Sequence, residues 1–73
     1  MPTPRDLVHR IEQRVLCRTH GRVRRVAVQV DEQRVVLYGD SATYYAKQLA
    51  QQAVSEIVAG RVLVNAIQVR MHA

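Results

Sequence analysis

The first stretch of the chain carries apolar residues at spacings of three, four and seven positions, which predicts an amphipathic helix. These residues are Leu7, Val8, Ile11, Val15 and Leu16. Thr3 is a candidate N-cap, and Pro4 suits the first helical position because its missing N–H needs no partner there. We expect the helix to end near Arg18 or Thr19, with Gly21 available for a left-handed exit.

The hydrophobic period then changes from 3.6 residues to two, which predicts two half-buried strands. Their inward positions are Val26, Val28, Val30, Val35 and Leu37. Residues 31–33 form a short polar connection, so the two strands are expected to make a hairpin. This connection has no glycine, and its turn type stays open.

A second helix and a third strand complete the pattern. Residues 39–43 are expected to form a loop that ends in an N-cap, either Thr43 or Ser41. The apolar face of the helix is Ala46, Leu49, Ala50, Ala53, Val54 and Ile57. Gly60 is predicted to close this helix as its C′ residue. The third strand alternates at Leu63, Ile67, Val69 and Met71.

The order of elements is helix, strand, strand, helix, strand, and it indicates an α+β fold. Two helices and three strands bury their apolar faces most simply as a two-layer αββαβ sandwich, with both helices on one face of the sheet. The 73 residues make one domain, with its core within about residues 7–69. A chain of this length buries roughly 60% of its unfolded surface, so the core is thin.

The pattern resembles the BON domain, a small bacterial module first noticed in osmotic-shock and nodulation-related proteins. The similar segments are Val26-x-Val28-x-Val30, Val35-x-Leu37-x-Gly39, a helix opening near Thr43, and Val64-Asn65-x-Ile67-x-Val69. Residues 44–51 also resemble the opening of the second helix in a subset of these domains. The likeness covers roughly residues 7–69. It departs from the usual family pattern at the first hairpin turn, around Gly60 and at Ser41.

This resemblance implies a mixed sheet and a protein without catalytic activity. It also implies a role in binding phospholipid or other membrane-associated partners. No binding residue carries over, because the role belongs to the family and not to a motif.

The charge is concentrated in one third of the chain. Residues 1–25 hold seven arginines against Asp6 and Glu12, whereas basic and acidic residues balance in residues 26–73. This asymmetry accounts for the whole formal charge of +5. A one-sided positive field attracts anionic lipid headgroups, acidic proteins or nucleic acid, although a basic face also serves solubility alone.

The candidate anion-binding residues are Arg10, Arg14, Arg18, Arg22, Arg24 and Arg25. Our first hypothesis is a non-enzymatic binding module whose partner is an anionic lipid surface or another protein chain. The alternative is a small basic nucleic-acid-binding protein that uses the same arginines to neutralise phosphates. Three tyrosines without Phe or Trp give little provision for base stacking, which favours the first hypothesis.

The uncovered face of the predicted sheet is a second candidate surface. Its members are Ala27, Val36, Tyr38, Val64 and Ala66, and its polar rim includes Arg25, Gln29, Arg34, Gln68 and Arg70. A partly apolar face with a polar rim is typical of protein interfaces. We therefore expect this face to support a homo-oligomer, against the alternative of a mildly apolar free surface.

No catalytic, metal or cofactor site is predicted. Cys17 and His20 are close in sequence, but two ligands do not make a zinc site, and a helix C-terminus disfavours a thiolate. Gly39 is expected to serve the backbone through a positive φ or a tight strand exit. Asn65 is expected to bond loop backbone with its side chain.

The location of the protein is predicted from its N-terminus and hydropathy. Residues 1–5 lack the apolar stretch of a signal peptide, and no run of about 18 apolar residues occurs. A single cysteine suits a reducing compartment. We expect a cytoplasmic protein that can bind peripherally to a membrane.

Overall fold

The computed structural model describes residues 4–58 and 60–70. Its elements are α1 (Pro4–Thr19), β1 (Val23–Val30), β2 (Arg34–Ser41), α2 (Tyr44–Ser55) and β3 (Val62–Val69). β2 is central, antiparallel to β1 and parallel to β3, so the sheet is mixed. The parallel pair needs a crossover, and α2 provides it. The expected α+β sandwich, with both helices on one face of a three-stranded sheet, is confirmed.

The core lies between the helices and the inner face of the sheet. Its buried members are Ile11, Val15, Val23, Val35, Leu37, Ala46, Ala50, Val54, Val58 and Ile67. Ala46, Ala50 and Ala53 of α2 are buried, so small side chains face the core along that helix. The predicted N-cap Thr3 and the strand position Met71 lie outside the described residues.

The buried face of α1 is narrower than the sequence pattern predicts. Ile11 and Val15 are fully buried, but Leu16 is 41% exposed. The face continues instead to Thr19, which is fully buried. Its Oγ1 donates to the carbonyl of Val15 at 2.7 Å, and this bond offsets the cost of burying the hydroxyl.

The exit from α1 uses two consecutive left-handed residues. Gly21 has φ +74°, as predicted, and His20 before it has φ +53°. The N–H of Gly21 donates to the carbonyl of Leu16 at 3.0 Å, which is the long bond that closes many helix C-termini.

The hairpin turn at residues 31–33 is built by a carboxylate in place of a glycine. Oδ1 of Asp31 accepts from the backbone N–H of Gln33 at 2.8 Å and of Arg34 at 2.7 Å. These bonds hold the pKa of Asp31 below its ordinary value, because they favour the ionised carboxylate. An Asx-type turn therefore reverses the chain.

The expectation of a loop at residues 39–43 is wrong for its first three residues. Gly39, Asp40 and Ser41 belong to β2, because their backbone pairs with both neighbouring strands. Gly39 is also not among the residues with positive φ. A β-carbon there would lie 3.0 Å from the carbonyl oxygen of Arg24 and 3.0 Å from Cγ1 of Val23. Gly39 is thus needed for a close approach between strands.

That close approach occurs at a β-bulge in β1. Arg24 pairs with Asp40 and Ala27 pairs with Tyr38, so β1 has one more residue than β2 over this interval. Arg25 takes the left-handed conformation at φ +56°. The extra residue reverses the inward and outward alternation of side chains in β1 before Val26. Val23 is therefore buried in the core, which alternation counted back from Val26 does not predict.

The start of α2 is as predicted and its end is not. Oγ1 of Thr43 accepts from the N–H of Ala46 at 3.1 Å, which confirms Thr43 as the N-cap. The helix ends at Ser55 with Glu56 as its C-cap, so Gly60 is not its C′ residue. Gly60 has φ +87° and serves the turn that leads into β3.

Asn65 joins α2 to the free edge of β3. Its Nδ2 donates to the carbonyl of Lys47 at 3.0 Å, and its Oδ1 accepts from the backbone N–H of Ile67 at 3.1 Å. The side chain bonds backbone, as expected, but its partners lie in a helix and a strand, so the expectation of loop backbone is wrong.

Candidate functional site

An open cleft lies at the end of the sheet where β1 begins and β2 and β3 end. Its volume is about 690 Å³. The lining residues are Gly21, Arg22, Arg24, Arg25, Asp40, Ser41, Ala42, Thr43 and Arg70. Four guanidinium groups and one carboxylate therefore border one concave surface, which gives the cleft a strongly positive field.

The bulge in β1 explains why two successive arginines border the same cleft. In a regular strand, successive side chains point to opposite faces of the sheet. Arg25 lies in the left-handed conformation, and this local change of direction lets Arg24 and Arg25 both line the cleft. A non-glycine residue in this conformation costs roughly 1 kcal/mol, and such strain tends to occur where a side chain must be aimed.

The acidic residue of the cleft already has a partner. Oδ1 of Asp40 lies 3.2 Å from Nε of Arg70. Within the described residues, no acidic side chain forms an ion pair with Arg22, Arg24 or Arg25. Three uncompensated cations thus remain for an anionic ligand.

The six arginines singled out in the sequence do not form one surface. Arg22, Arg24 and Arg25 line the cleft, whereas Arg14 and Arg18 turn toward the C-terminal end of α2. There Oε2 of Glu56 lies 3.7 Å from Nη1 of Arg14 and 3.2 Å from Nη2 of Arg18.

Arg10, the third candidate arginine on α1, is exposed one turn before Arg14. The three α1 arginines thus form a second basic group, and Glu56 partly neutralises it. Arg70 takes their place in the cleft. It was assigned to the rim of the sheet face from sequence, and only the parallel pairing of β2 with β3 brings it beside Asp40.

Residues 41–43, which precede α2, also line the cleft, and the hydroxyl groups of Ser41 and Thr43 form hydrogen bonds with nearby backbone. Oγ of Ser41 donates to the carbonyl of Thr43 at 2.7 Å and accepts from the N–H of Thr43 at 3.2 Å. Tyr44 and Tyr45 follow directly and are 63% and 64% exposed. These two exposed tyrosines follow the last cleft-lining residue of the loop, and the sequence pattern of α2 gives no sign of them, because it marks the buried alanines and not the first turn.

The outer face of the sheet carries the other set of predicted residues. Cross-strand partners form two rows over the three strands on this face, Ala27–Tyr38–Ala66 and Gln29–Val36–Val64, and Arg34 is paired with Val62. All five predicted apolar members thus share this face, and Val62 extends it at β3 with 64% exposure. Arg25 departs from the predicted rim because the bulge turns it to the cleft.

The strain at Arg25 gives a test of the bulge geometry. Asparagine tolerates the left-handed region, so Arg25→Asn is expected to raise the free energy of unfolding by about 0.5 kcal/mol. Arg24→Asn makes the same chemical change at the adjacent β1 position, which is not left-handed, and should lower it because asparagine is a poor strand former. Urea unfolding measures both variants, and a loss of stability in both would contradict the assigned strain.

The thiol and the imidazoles do not combine into a site. Cys17 is exposed on α1, and His20 lies in the turn that follows it. In the part of the chain that the structure describes, no three His, Cys, Asp or Glu residues are grouped to hold a metal ion. Among the same residues, no helix is long and apolar enough to cross a membrane.

Comparison of the chain with protein-family models, with curated proteins and with solved structures found no match. The chemistry of the cleft and of the sheet face therefore carries the functional argument.

Proposed function

We propose that this chain is a non-enzymatic, BON-like binding module that attaches to anionic phospholipid surfaces through its arginine-lined cleft. The observation that carries the proposal is the convergence of Arg22, Arg24 and Arg25 on one open cleft without acidic partners. Guanidinium groups bind phosphate with paired hydrogen bonds, and each basic residue near an anionic surface contributes about 1 kcal/mol. The resulting attachment is reversible and depends on salt.

The tyrosine pair favours a lipid surface as the source of the phosphate. Tyr44 and Tyr45 are exposed at the start of α2, directly after Thr43 in the cleft lining. An aromatic ring with a polar tip suits the boundary between headgroups and acyl chains. Arginines that hold phosphates and tyrosines that enter the headgroup layer would act side by side.

The separation of the basic groups weighs against nucleic acid. A polynucleotide is best held by a continuous positive track along several phosphates. Here Glu56 contacts Arg14 and Arg18, so part of the positive charge on α1 is already neutralised, and neither arginine lines the cleft. The tyrosines could stack on bases, which keeps nucleic acid as the alternative that the experiment must address.

The hydroxyl arrangement supports binding in preference to catalysis. Ser41 is buried and donates to the carbonyl of Thr43, so its oxygen is committed to the turn. Asp40 is held by Arg70. The cleft supplies positive charge and hydrogen-bond donors, which are the means of recognising an anion.

Vesicle binding tests the proposal. The protein is titrated with phosphatidylcholine vesicles, with and without phosphatidylglycerol, and with DNA and RNA oligomers at matched phosphate concentration. We expect binding only to anionic vesicles and a decrease with added salt. Arg24→Gln together with Arg25→Gln should weaken that binding about 30-fold, from two contacts of about 1 kcal/mol each.

The matched control is Arg14→Gln with Arg18→Gln, which removes the same formal charge from the α1 group. Binding should change by much less, because these side chains are already paired with Glu56. If the two double variants lose vesicle affinity equally, net charge alone explains the binding, and a role for the cleft is contradicted. Tighter binding to the oligomers would replace lipid by nucleic acid, and no binding to either would leave a protein partner.

A further inference from the structure

The outer face of the sheet is an apolar surface that neither helix covers. Val36 and Tyr38 lie at its centre on β2, and Val62 and Val64 lie on β3, with exposed fractions of 64% and 38%. The hydroxyl of Tyr38 donates to Oε1 of Gln29 at 3.3 Å, which spans β1 and β2 on this face. Flat, exposed β-branched side chains of this kind are stabilised by packing against a second sheet.

Opposite ends of this face differ in charge. The cleft end carries Arg24, Arg25 and Arg70 against Asp40, so positive charge is in excess there. At the hairpin end, Asp31 and Glu32 are exposed and balance two arginines, Arg34 and Arg61. Nε of Arg61 donates to the carbonyl of Asp31, which keeps these groups together at this end.

The spacing of charges along β2 is self-complementary. Arg34 and Asp40 both lie on the outer face, each three residues from Leu37. A two-fold axis in the interface, perpendicular to the strands and level with Leu37, places Arg34 of each copy over Asp40 of the other. The same axis places Val36 over Tyr38 and sets each positive cleft end over the hairpin end of the other copy, where acidic and basic residues balance. A two-fold axis parallel to the strands would instead bring the arginine-rich ends together.

We propose that the outer face of the sheet is the interface of a homodimer in which the two sheets pack face to face with antiparallel strands. The face measures about 14 by 26 Å from the spacing of three strands and eight residues. Two copies therefore bury roughly 730 Å², which is less than the total of about 1,200 Å² at which standard specific interfaces begin and places this contact among weak, transient ones. The dimer is accordingly weak and should form only at high protein concentration. The interface shares Asp40 with the cleft, but dimerisation is measured without lipid, so the two proposals are tested separately.

Sedimentation equilibrium over a range of concentrations tests the dimer. The unmodified chain should dimerise reversibly, and Tyr38→Glu should weaken dimerisation about 30-fold because it places charge at the centre of the interface. Val64→Glu, at a position that is equally exposed, should act in the same direction. Circular dichroism establishes that both variants remain folded.

The matched control is Leu16→Glu, which adds the same charge at a similarly exposed apolar position on α1. It should leave the dimer unchanged. Arg34→Gln tests the orientation: it should weaken the antiparallel dimer about fivefold, since two exposed charge pairs of about 0.5 kcal/mol each are lost. A monomer at every concentration, or equal effects of Leu16→Glu and Tyr38→Glu, would overturn the interface. Tighter association of Arg34→Gln would overturn the antiparallel arrangement.

Discussion

Replacing Leu37 by alanine is expected to lower the free energy of unfolding by about 2–5 kcal/mol. Leu37 is fully buried on the central strand, between the helices and the two neighbouring strands. Its truncation removes apolar contacts and leaves a cavity that a three-stranded sheet can close only in part. A domain of this size has a total stability of roughly 4–11 kcal/mol, so this one change removes a large part of it.

Urea unfolding followed by circular dichroism measures this loss. Leu16→Ala is the matched control, because it deletes the same atoms from a leucine that is 41% exposed. The control should cost less than about 1 kcal/mol, since the atoms that it removes are already partly in water. Comparable losses at the two positions would contradict the assignment of the core to the inner face of the sheet.

Gly39→Val is expected to lower the free energy of unfolding by about 3 kcal/mol. The added β-carbon would meet the carbonyl oxygen of Arg24 and Cγ1 of Val23, both at 3.0 Å, and the two methyl groups need further space. The carbonyl belongs to the bulged backbone and cannot rotate away as a side chain does. Gly39→Ala should cost about 1 kcal/mol, because reduced freedom of the unfolded chain offsets part of the overlap.

A double-mutant cycle isolates the steric origin of this effect. Val23→Ala removes Cγ1 from the contact and is destabilising by itself, because Val23 is buried. If the two side chains collide, the loss in Gly39→Val with Val23→Ala should be smaller than the sum of the single losses by about 0.5 kcal/mol or more. If the losses in the free energy of unfolding are strictly additive, the destabilisation by Gly39→Val does not arise from contact with the side chain of Val23.

The fold was predictable because its main signal is local. The change of hydrophobic period near Val26 and the N-cap at Thr43 depend on neighbouring residues, and both agree with the structure. The errors arise where pairing between strands overrides local composition. Gly39, Asp40 and Ser41 look like a loop, but hydrogen bonds to strands on both sides keep them extended.

Val23 shows a different limit of pattern analysis. It lies three residues before Val26, so strict alternation puts the two on opposite faces. The bulge adds one residue between them and restores Val23 to the core. The bulge depends on the absence of a side chain at Gly39, a residue distant in sequence, and alternation within β1 carries no sign of it.

The candidate site was predictable only in part for the same reason. Arg22, Arg24 and Arg25 are close in sequence and remain together in the cleft. Arg70 joins them through the parallel pairing of β2 with β3, and Glu56 draws two α1 arginines away. Counting charges along the chain detects the excess of positive charge. It does not show which arginines are neutralised by acidic residues that folding brings next to them.

The amide of Asn65 has a consequence for how the domain behaves at high concentration. Along the unpaired edge of β3, the N–H of Ile67 faces away from β2, where an incoming strand would bond to it. The side-chain oxygen of Asn65 occupies that N–H, and Lys47 of α2 anchors the same amide from above. An exposed strand edge without charges or proline is a template for pairing with a strand of another chain. The side chain of Asn65 thus removes one of the donors that an incoming strand would need at this edge, while the broad face of the sheet stays accessible.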